Sequence, residues 1–298
     1  MLAACAEGLA CFLKLRLLNL DHHFQIQEHT FFAIVKLTIL LRTRNSQNEL
    51  WKFEERARQG DEIVIVDHAS SDRTLDIAAK MGAKIVPYSR EVFSYGAALN
   101  VGIPVCTNDW VLVASPHFEP WNDRFWSRLV QDLGDLPVDV VACQAPIFLG
   151  RRTNHPKQGI TFTGSADLGD VPWRLYGNTC CAYRRQWLDR FPFDEQLLTA
   201  EDVEWCYRVV QAGYRICVDH RVPVVYRNRA PIGRYWRRGR TDFPALSMIY
   251  QREIRPAWSE IFVAFIKEGL LFILGRIPFW LWIRLVVKRT AELTLLFR

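Results

Sequence analysis

The chain of 298 residues has none of the short motifs that mark several common nucleotide and hydrolase chemistries. No G-x-G-x-x-G follows an apolar run, which argues against a nicotinamide-binding dehydrogenase. No G-x-x-x-x-G-K-S/T occurs either, which argues against a nucleotide kinase. A serine hydrolase of the G-x-S-x-G kind is missing its elbow. The 8 cysteines include no C-x-x-C pair, so a zinc module has no ligands at its usual spacing and reduced, buried thiols are expected. Charge of one sign is scarce: 38 basic residues against 32 acidic ones leave +6. That mild excess suits phosphate-bearing ligands or an anionic membrane surface and does not single out nucleic acid. Uninterrupted apolar runs of the ~20 residues that span a bilayer are absent too. Lys14 and Arg16 break the apolar N-terminus, which has no basic stretch ahead of it for a secretory signal. Arg276, Pro278 and Arg284 break the apolar C-terminus.

What is present begins with Glu62–Pro87, EIVIVDHASSDRTLDIAAKMGAKIVP. Its run Ile63–Val66 is rich in β-branched residues, as a strand buried on both faces should be. The small polar residues after Asp67 turn the chain. Leu75, Ile77, Ala78 and Met81 recur at helical spacing, Gly82 stops that helix, and Lys84–Val86 resumes as a strand. Ahead of it lie a strand ending in Arg42-Thr43-Arg44-Asn45 and an amphipathic helix over Asn48–Gln59. Strand and helix alternate, so a parallel sheet with right-handed crossovers follows. Ligands of such sheets bind at the carboxyl ends of strands, where Asp67 sits; the same acid and serines also suit plain helix capping.

Further along, Trp110–Ala114 reads as a buried strand running into Ser115-Pro116-His117, with Glu119 beyond. Helix is expected over Trp121–Leu133 and strand over Val138–Ala142. Positions 150–177 carry little periodicity and read as one long irregular segment, in which Trp173 and Tyr176 could stack on a sugar or pack under the loop. Strand is expected over Asn178–Tyr183, and a helix starts near Thr199 or Ala200 with Glu201, Asp202 and Glu204 in its first turn. Acids there suit the helix dipole and suit catalysis. Positions 227–240, RNRAPIGRYWRRGR, read as a basic loop with six arginines, able to close over a diphosphate or to lie solvated. The apolar tail over 261–298, with Trp280, Trp282 and flanking cations, suits a helix lying in a membrane interface or packing on a protein surface.

Six blocks occur in order: ILLRTRN, EIVIVDHASSDRTLDIA, FSYGAALNVGI, WVLVASPHFEP, GNTCCAYRRQW and FDEQLLTAEDVEWCYRVVQAGYRI. Together they resemble family-2 glycosyltransferases of the GT-A fold, and in particular bacterial members of the rhamnosyltransferase kind. The resemblance implies an α/β, three-layer sandwich with a mostly parallel central sheet, followed by an apolar C-terminal helical extension. It implies a glycosyltransferase domain over 36–245, with 36–120 as nucleotide-binding half and 121–245 as acceptor half, between an extension over 1–35 and a tail over 246–298. It implies an inverting transfer of a sugar from a nucleotide-sugar donor to a hydroxyl on a glycan or lipid-linked acceptor, in cell-surface polysaccharide synthesis. The place implied is cytoplasmic, at the inner face of the plasma membrane, with peripheral contact through 261–298 and no nucleic-acid partner.

By position, Arg42, Thr43, Asn45, Asp67, His68 and Ser115 match donor-binding residues, and Arg234, Arg237 and Arg238 match the segment that orders over the donor. Asp202, with Glu201 beside it, matches the catalytic base. His68 stands where an acid often reads the base. Ser115-Pro116-His117 stands in place of the D-x-D metal motif, with both acids replaced. A divalent ion (Mg2+ or Mn2+) on His117 with Glu119 nearby, and a metal-free site neutralised by arginines, both remain open. The replaced acids also leave open a degenerate, non-catalytic scaffold in a polysaccharide-assembly complex.

Overall fold

The buried apolar runs form the centre of a three-layer sandwich. Strands β1 (Leu37–Thr43), β2 (Glu62–Asp67), β3 (Lys84–Pro87), β4 (Trp110–Ala114), β6 (Val140–Gln144), β8 (Ile160–Thr163), β9 (Cys180–Arg184) and β10 (Arg215–Asp219) make one sheet in the order β3-β2-β1-β4-β9-β6-β10-β8. The computed structural model describes residues 35–90, 92–149, 158–168, 177–226, 232–251, 257–277 and 279–295. Strands β1 to β4 are parallel, as are β6 and β10, while β9 runs antiparallel between β4 and β6. Three short strands, β5 (Phe118–Pro120), β11 (Val224–Tyr226) and β7 (Ile147–Leu149), form a second sheet.

Alternate residues of each central strand feed opposite layers, as the strand period requires. On one face Ile39, Leu41, Ile65 and Leu112 pack with Phe53, Phe125 and Leu129. On the other, Leu40, Val64, Val66 and Val113 pack with Ala97, Leu99 and Trp205. The helices of the two layers are α1 (Glu54–Arg58), α2 (Thr74–Lys80), α3 (Tyr95–Gly102), α4 (Phe125–Asp135), α5 (Arg185–Arg190) and α6 (Glu201–Gln211).

Several expectations need correction. The helix expected over Asn48–Gln59 is a 3-10 turn, Leu50–Phe53, followed by the single turn of α1. The helix expected from Trp121 starts at Phe125, because Phe118–Pro120 is drawn into the small sheet by β11. Within 150–177, Ile160–Thr163 is a strand, paired antiparallel with β10. The basic stretch is no loop where it is described: α7 (Ile232–Tyr250) runs through it and through position 245. Trp173, Tyr176, Arg227 and Arg229 lie outside the described residues, as do 1–34 of the N-terminal extension.

The tail adds α8 (Trp258–Ile273) and α9 (Phe279–Leu293). Gly239 of α7 meets the backbone of Lys288 and the methyl of Ala291 on α9, at a distance that leaves no room for a Cβ. Lys288 Nζ lies 2.7 Å from Asp242 Oδ2, and Arg289 Nη2 lies 2.7 Å from Glu268 Oε1 of α8. No helix among the described residues is long and apolar enough to cross a membrane.

Candidate active site

The topology gathers the candidate residues along one edge of the sheet. Strands β1, β2 and β4 end there, with Thr43 opposite Asp67 and Leu41 opposite Ala114. Strand β9 runs the other way, so its beginning reaches the same edge. Cys180 faces Ala114, and Ser115 N–H donates to Thr179 O at 2.9 Å. That antiparallel strand is what carries Asn178 into the site.

The loops after β1 and β2 are tied together by polar side chains. The buried Asp67 carboxylate accepts from Thr43 Oγ1 at 2.8 Å, from Ser70 N at 2.8 Å and from Ser70 Oγ at 2.6 Å. Asn45, in the left-handed region at φ 51°, accepts from Ser71 N at 2.8 Å through its side chain, and its own N–H donates to Ser70 Oγ at 2.8 Å. Asp67 and Asn45 therefore shape the loop, which leaves the neighbouring His68 ring in an aromatic row. His68 lies 5.1 Å from Phe93, and Phe93 lies 4.8 Å from Tyr95, both edge to face. The Arg42 guanidinium sits over the Tyr95 ring, 4.8 Å from its centre.

Arg42 links this aromatic row to the start of α6. Its Nη1 lies 3.2 Å from Glu201 Oε1, and the same oxygen accepts from Asn178 Nδ2 at 3.1 Å. Asn178 N–H donates to Asp202 Oδ2 at 2.8 Å, while Val203 N–H donates to Asp202 Oδ1 at 2.9 Å. The preceding Ala200 is left-handed, at φ 63°, a conformation that costs an alanine and is held here by its surroundings. It turns Glu201 inward, to 5% exposure, and leaves Asp202 only partly covered. Burial and the adjacent Glu201 push the Asp202 carboxyl up to about 7, against the pull of its two N–H donors and of Arg42.

At the end of β4, His117 and Ser115 lie beside the small sheet. His117 Nδ1 lies 3.7 Å from Glu49 Oε1, its ring meets Tyr226 edge-on at 6.3 Å, and its N–H donates to Ser115 Oγ at 3.3 Å. Lys52 clamps the turn by donating to Pro116 O and, at 2.8 Å, to Phe118 O. The imidazole and the Glu49 carboxylate make two metal donors. Among the described residues there is no group of three His, Cys, Asp or Glu side chains that could hold an ion unaided. These two donors would hold a divalent ion only together with other ligands, and they do not fit a resident ion held by protein alone.

Of the three arginines expected over the donor, Arg234 lies in the first turn of α7 and Arg237 is exposed. Arg238 is 60% exposed at its side chain, with Nε 3.9 Å from Asp242 Oδ1. Desolvation works against its charge, while Asp242, Tyr226, Asp202 and Tyr95 push its pKa up, which places it near Asp202. Glu49, Tyr95 and Asn178 are functional candidates that sequence reasoning did not single out. Tyr95 and Asn178 fall inside the motif blocks, whereas nothing local marks Glu49.

The sequence model of Glycosyl transferase family 2 matches residues 38–191. A curated relative, the O-antigen chain rhamnosyltransferase WbaN of Salmonella anatum, is 24% identical over 264 residues, which cover 82% of this chain and 83% of the relative. Among solved structures, the mannosyltransferase PcManGT from Pyrobaculum calidifontis, in complex with GDP-Man and Mn2+, superposes with a TM-score of 0.59 at 15% identity. The match covers 87% of this chain and 86% of that one. TarS of S. aureus (residues 1–349, in complex with UDP) gives a TM-score of 0.54 at 17% identity, covering 76% and 69%.

Proposed function

The chain belongs to glycosyl transferase family 2, and from that premise we propose that it is an inverting enzyme that moves a sugar, rhamnose being the first candidate, from a nucleoside-diphosphate donor to a hydroxyl of a growing cell-surface glycan. It is a nucleotide-sugar-dependent glycosyltransferase of GT-A fold. Rhamnose is supported by the name of the Salmonella anatum relative, 24% identical over 82% of this chain.

One observation carries the proposal: a carboxyl poised near neutrality, Asp202, fixed by the N–H groups of Asn178 and Val203 beside the donor-facing edge. Inversion needs a base that takes the acceptor hydroxyl's proton as the oxygen attacks the anomeric carbon in line. A carboxyl raised above its ordinary range is, once ionised, a stronger base than an ordinary aspartate. Glu201 is buried and its Oε1 is committed to Arg42 and Asn178, which leaves Asp202 to take the proton. This base argues against the scaffold alternative, which has no use for it.

The leaving diphosphate gains charge as the glycosidic bond breaks. Arg42, which stacks on Tyr95, and Arg238 would neutralise that charge. A divalent ion brought in by the donor would be held by His117 and Glu49 and would supply further neutralisation of the diphosphate. The His68–Phe93–Tyr95 row offers ring faces and edges for the nucleobase.

A lipid-linked acceptor and a place at the inner face of the plasma membrane are supported by the outer surface of α8. Phe262, Val263, Ile266, Leu270 and Ile273 are exposed there, as is Leu274 just past its end, and on α9 Arg284 stacks at 4.9 Å on the exposed ring of Trp280. The test of the proposed chemistry is Asp202→Asn. It should keep nucleotide binding, seen as a thermal shift with UDP, GDP or dTDP, and lose transfer.

A further inference from the structure

We propose that Glu201 is a positioning residue, joined to Asp202 through Asn178 and balanced by Arg42, so that the donor-side strand and the base act as one unit. The inference rests on Asp202 being the base. Glu201 itself is unsuited to the acceptor: it is nearly fully buried, and its Oε1 already accepts from two donors, Arg42 Nη1 at 3.2 Å and Asn178 Nδ2 at 3.1 Å. Asn178 is the joint. Its side-chain N–H goes to Glu201, its backbone N–H goes to Asp202 at 2.8 Å, and its Oδ1 accepts from the wholly buried Tyr183 hydroxyl at 2.7 Å. Tyr183 is packed edge-on against Trp205 of α6 at 4.9 Å, so neither the asparagine nor the helix can drift.

Two effects follow. The aim of the Asp202 carboxylate is set by Asn178, whose amide Glu201 holds. The proton affinity of Asp202 is set by a buried negative charge next to it, offset by the Arg42 guanidinium. The other groups facing Asp202 are Arg238 from α7, Cys181 and Tyr183 from β9, and Cys206 on its own helix. Tyr183, Cys181 and Cys206 are pushed well above their usual ranges by burial and stay neutral, so Glu201, Arg42 and Arg238 are the charges that matter. Because Arg42 also stacks on Tyr95, at the donor-facing row, an anion bound there competes with Glu201 for the same guanidinium. Occupying the donor side thereby makes Asp202 more basic.

The test is 13C NMR of the full chain labelled at aspartate carboxyls, with the Asp202 resonance identified by its loss in Asp202→Asn. Glu201→Gln keeps an oxygen that accepts from Arg42 and Asn178 but removes the charge. The Asp202 midpoint should fall from about 7 by about one pH unit. Arg42→Gln should move it the other way, upward. A purely structural role would give no such opposed pair of shifts, and a midpoint unmoved in Glu201→Gln would overturn the proposal. Should Arg42→Gln fail to fold by circular dichroism, Glu201→Gln decides alone. The measurement needs no donor. Opposed shifts with no transfer on any donor would therefore keep the coupling and refute the enzyme reading, whereas transfer with an unmoved midpoint would do the reverse.

Discussion

Arg42 Nη1 lies 3.2 Å from Glu201 Oε1, although the two residues are 159 positions apart in the chain. One belongs to the end of the first central strand and the other to the first turn of α6. Their contact joins a residue near the start of the family match to one ten positions past its end at 191. Arg42, Glu201, Asn178 and Asp202 are then joined in one run of polar contacts beside the loops after β1 and β2, and most of what can be tested concerns how that run is held.

Asp67 is held as a structural acceptor, with three donors on one buried carboxylate. Asp67→Ala would leave the buried Thr43 hydroxyl and the Ser70 N–H without that partner, and should cost roughly 2–4 kcal/mol. Thr43→Val removes one bond and should cost about 1 kcal/mol. Urea unfolding of both variants measures this, and equal small losses would show that Asp67 does not organise the loop.

Much of this was legible in the sequence, for a physical reason. The runs Ile39–Leu41, Ile63–Val66 and Val111–Val113 are buried on both faces, so strand, sheet type and the edge where Asp67 and Ser115 emerge could be read from local pattern. The arginine-rich stretch could not. Its helix is stabilised by α9, through the close approach at Gly239 and the Lys288–Asp242 pair, and nothing within RNRAPIGRYWRRGR reports that partner. The late start of α4 has the same origin, since Phe118–Pro120 pairs with a strand far along the chain. The His117–Glu49 contact was likewise invisible, because the acid comes from the turn ahead of the 3-10 segment and belongs to no motif.

His117 and Glu49 together should set the metal requirement. Replacing His117 with Ala should raise the Mn2+ concentration for half-maximal donor turnover at least about tenfold, and Glu49→Gln should act in the same direction. Turnover measured across a Mn2+ series with chelator-treated protein checks this. A Mn2+ response unchanged in both variants would point to neutralisation by Arg42 and Arg238 alone.

The outer face of α8 should bind bilayers. Co-sedimentation with phosphatidylglycerol-containing vesicles should weaken at least about tenfold for Leu270→Glu, a loss in line with burying one leucine side chain. Leu270 is 53% exposed, so its replacement should leave the melting temperature within about a degree. Absence of vesicle binding by the unaltered protein would remove the membrane from the account.

The pH dependence has a definite sign. The Asp202 carboxyl is raised by burial and by Glu201, so a role as base would be lost on the acid side, where it is protonated. Below about 7, kcat/KM should fall about tenfold per pH unit, and above it the rate should level off. The same shift means that folding favours the protonated form, so the contribution of Asp202 to stability is full at acid pH and is lost as pH rises from the unfolded value toward about 7. A pH–rate profile that is flat from 5 to 8 would remove Asp202 from the rate law.

The most direct measurement is release of nucleoside diphosphate from a panel of donors (UDP-glucose, GDP-mannose and dTDP-rhamnose) with and without Mn2+, by the unaltered protein and by Asp202→Asn. Turnover should be selective for one donor. In Asp202→Asn that turnover should fall by about 10²–10⁴-fold, with the thermal shift given by the matching nucleoside diphosphate retained. Turnover in Asp202→Asn equal to that of the unaltered protein would contradict the assignment of the base, and silence on every donor with no nucleotide shift would contradict the enzyme itself.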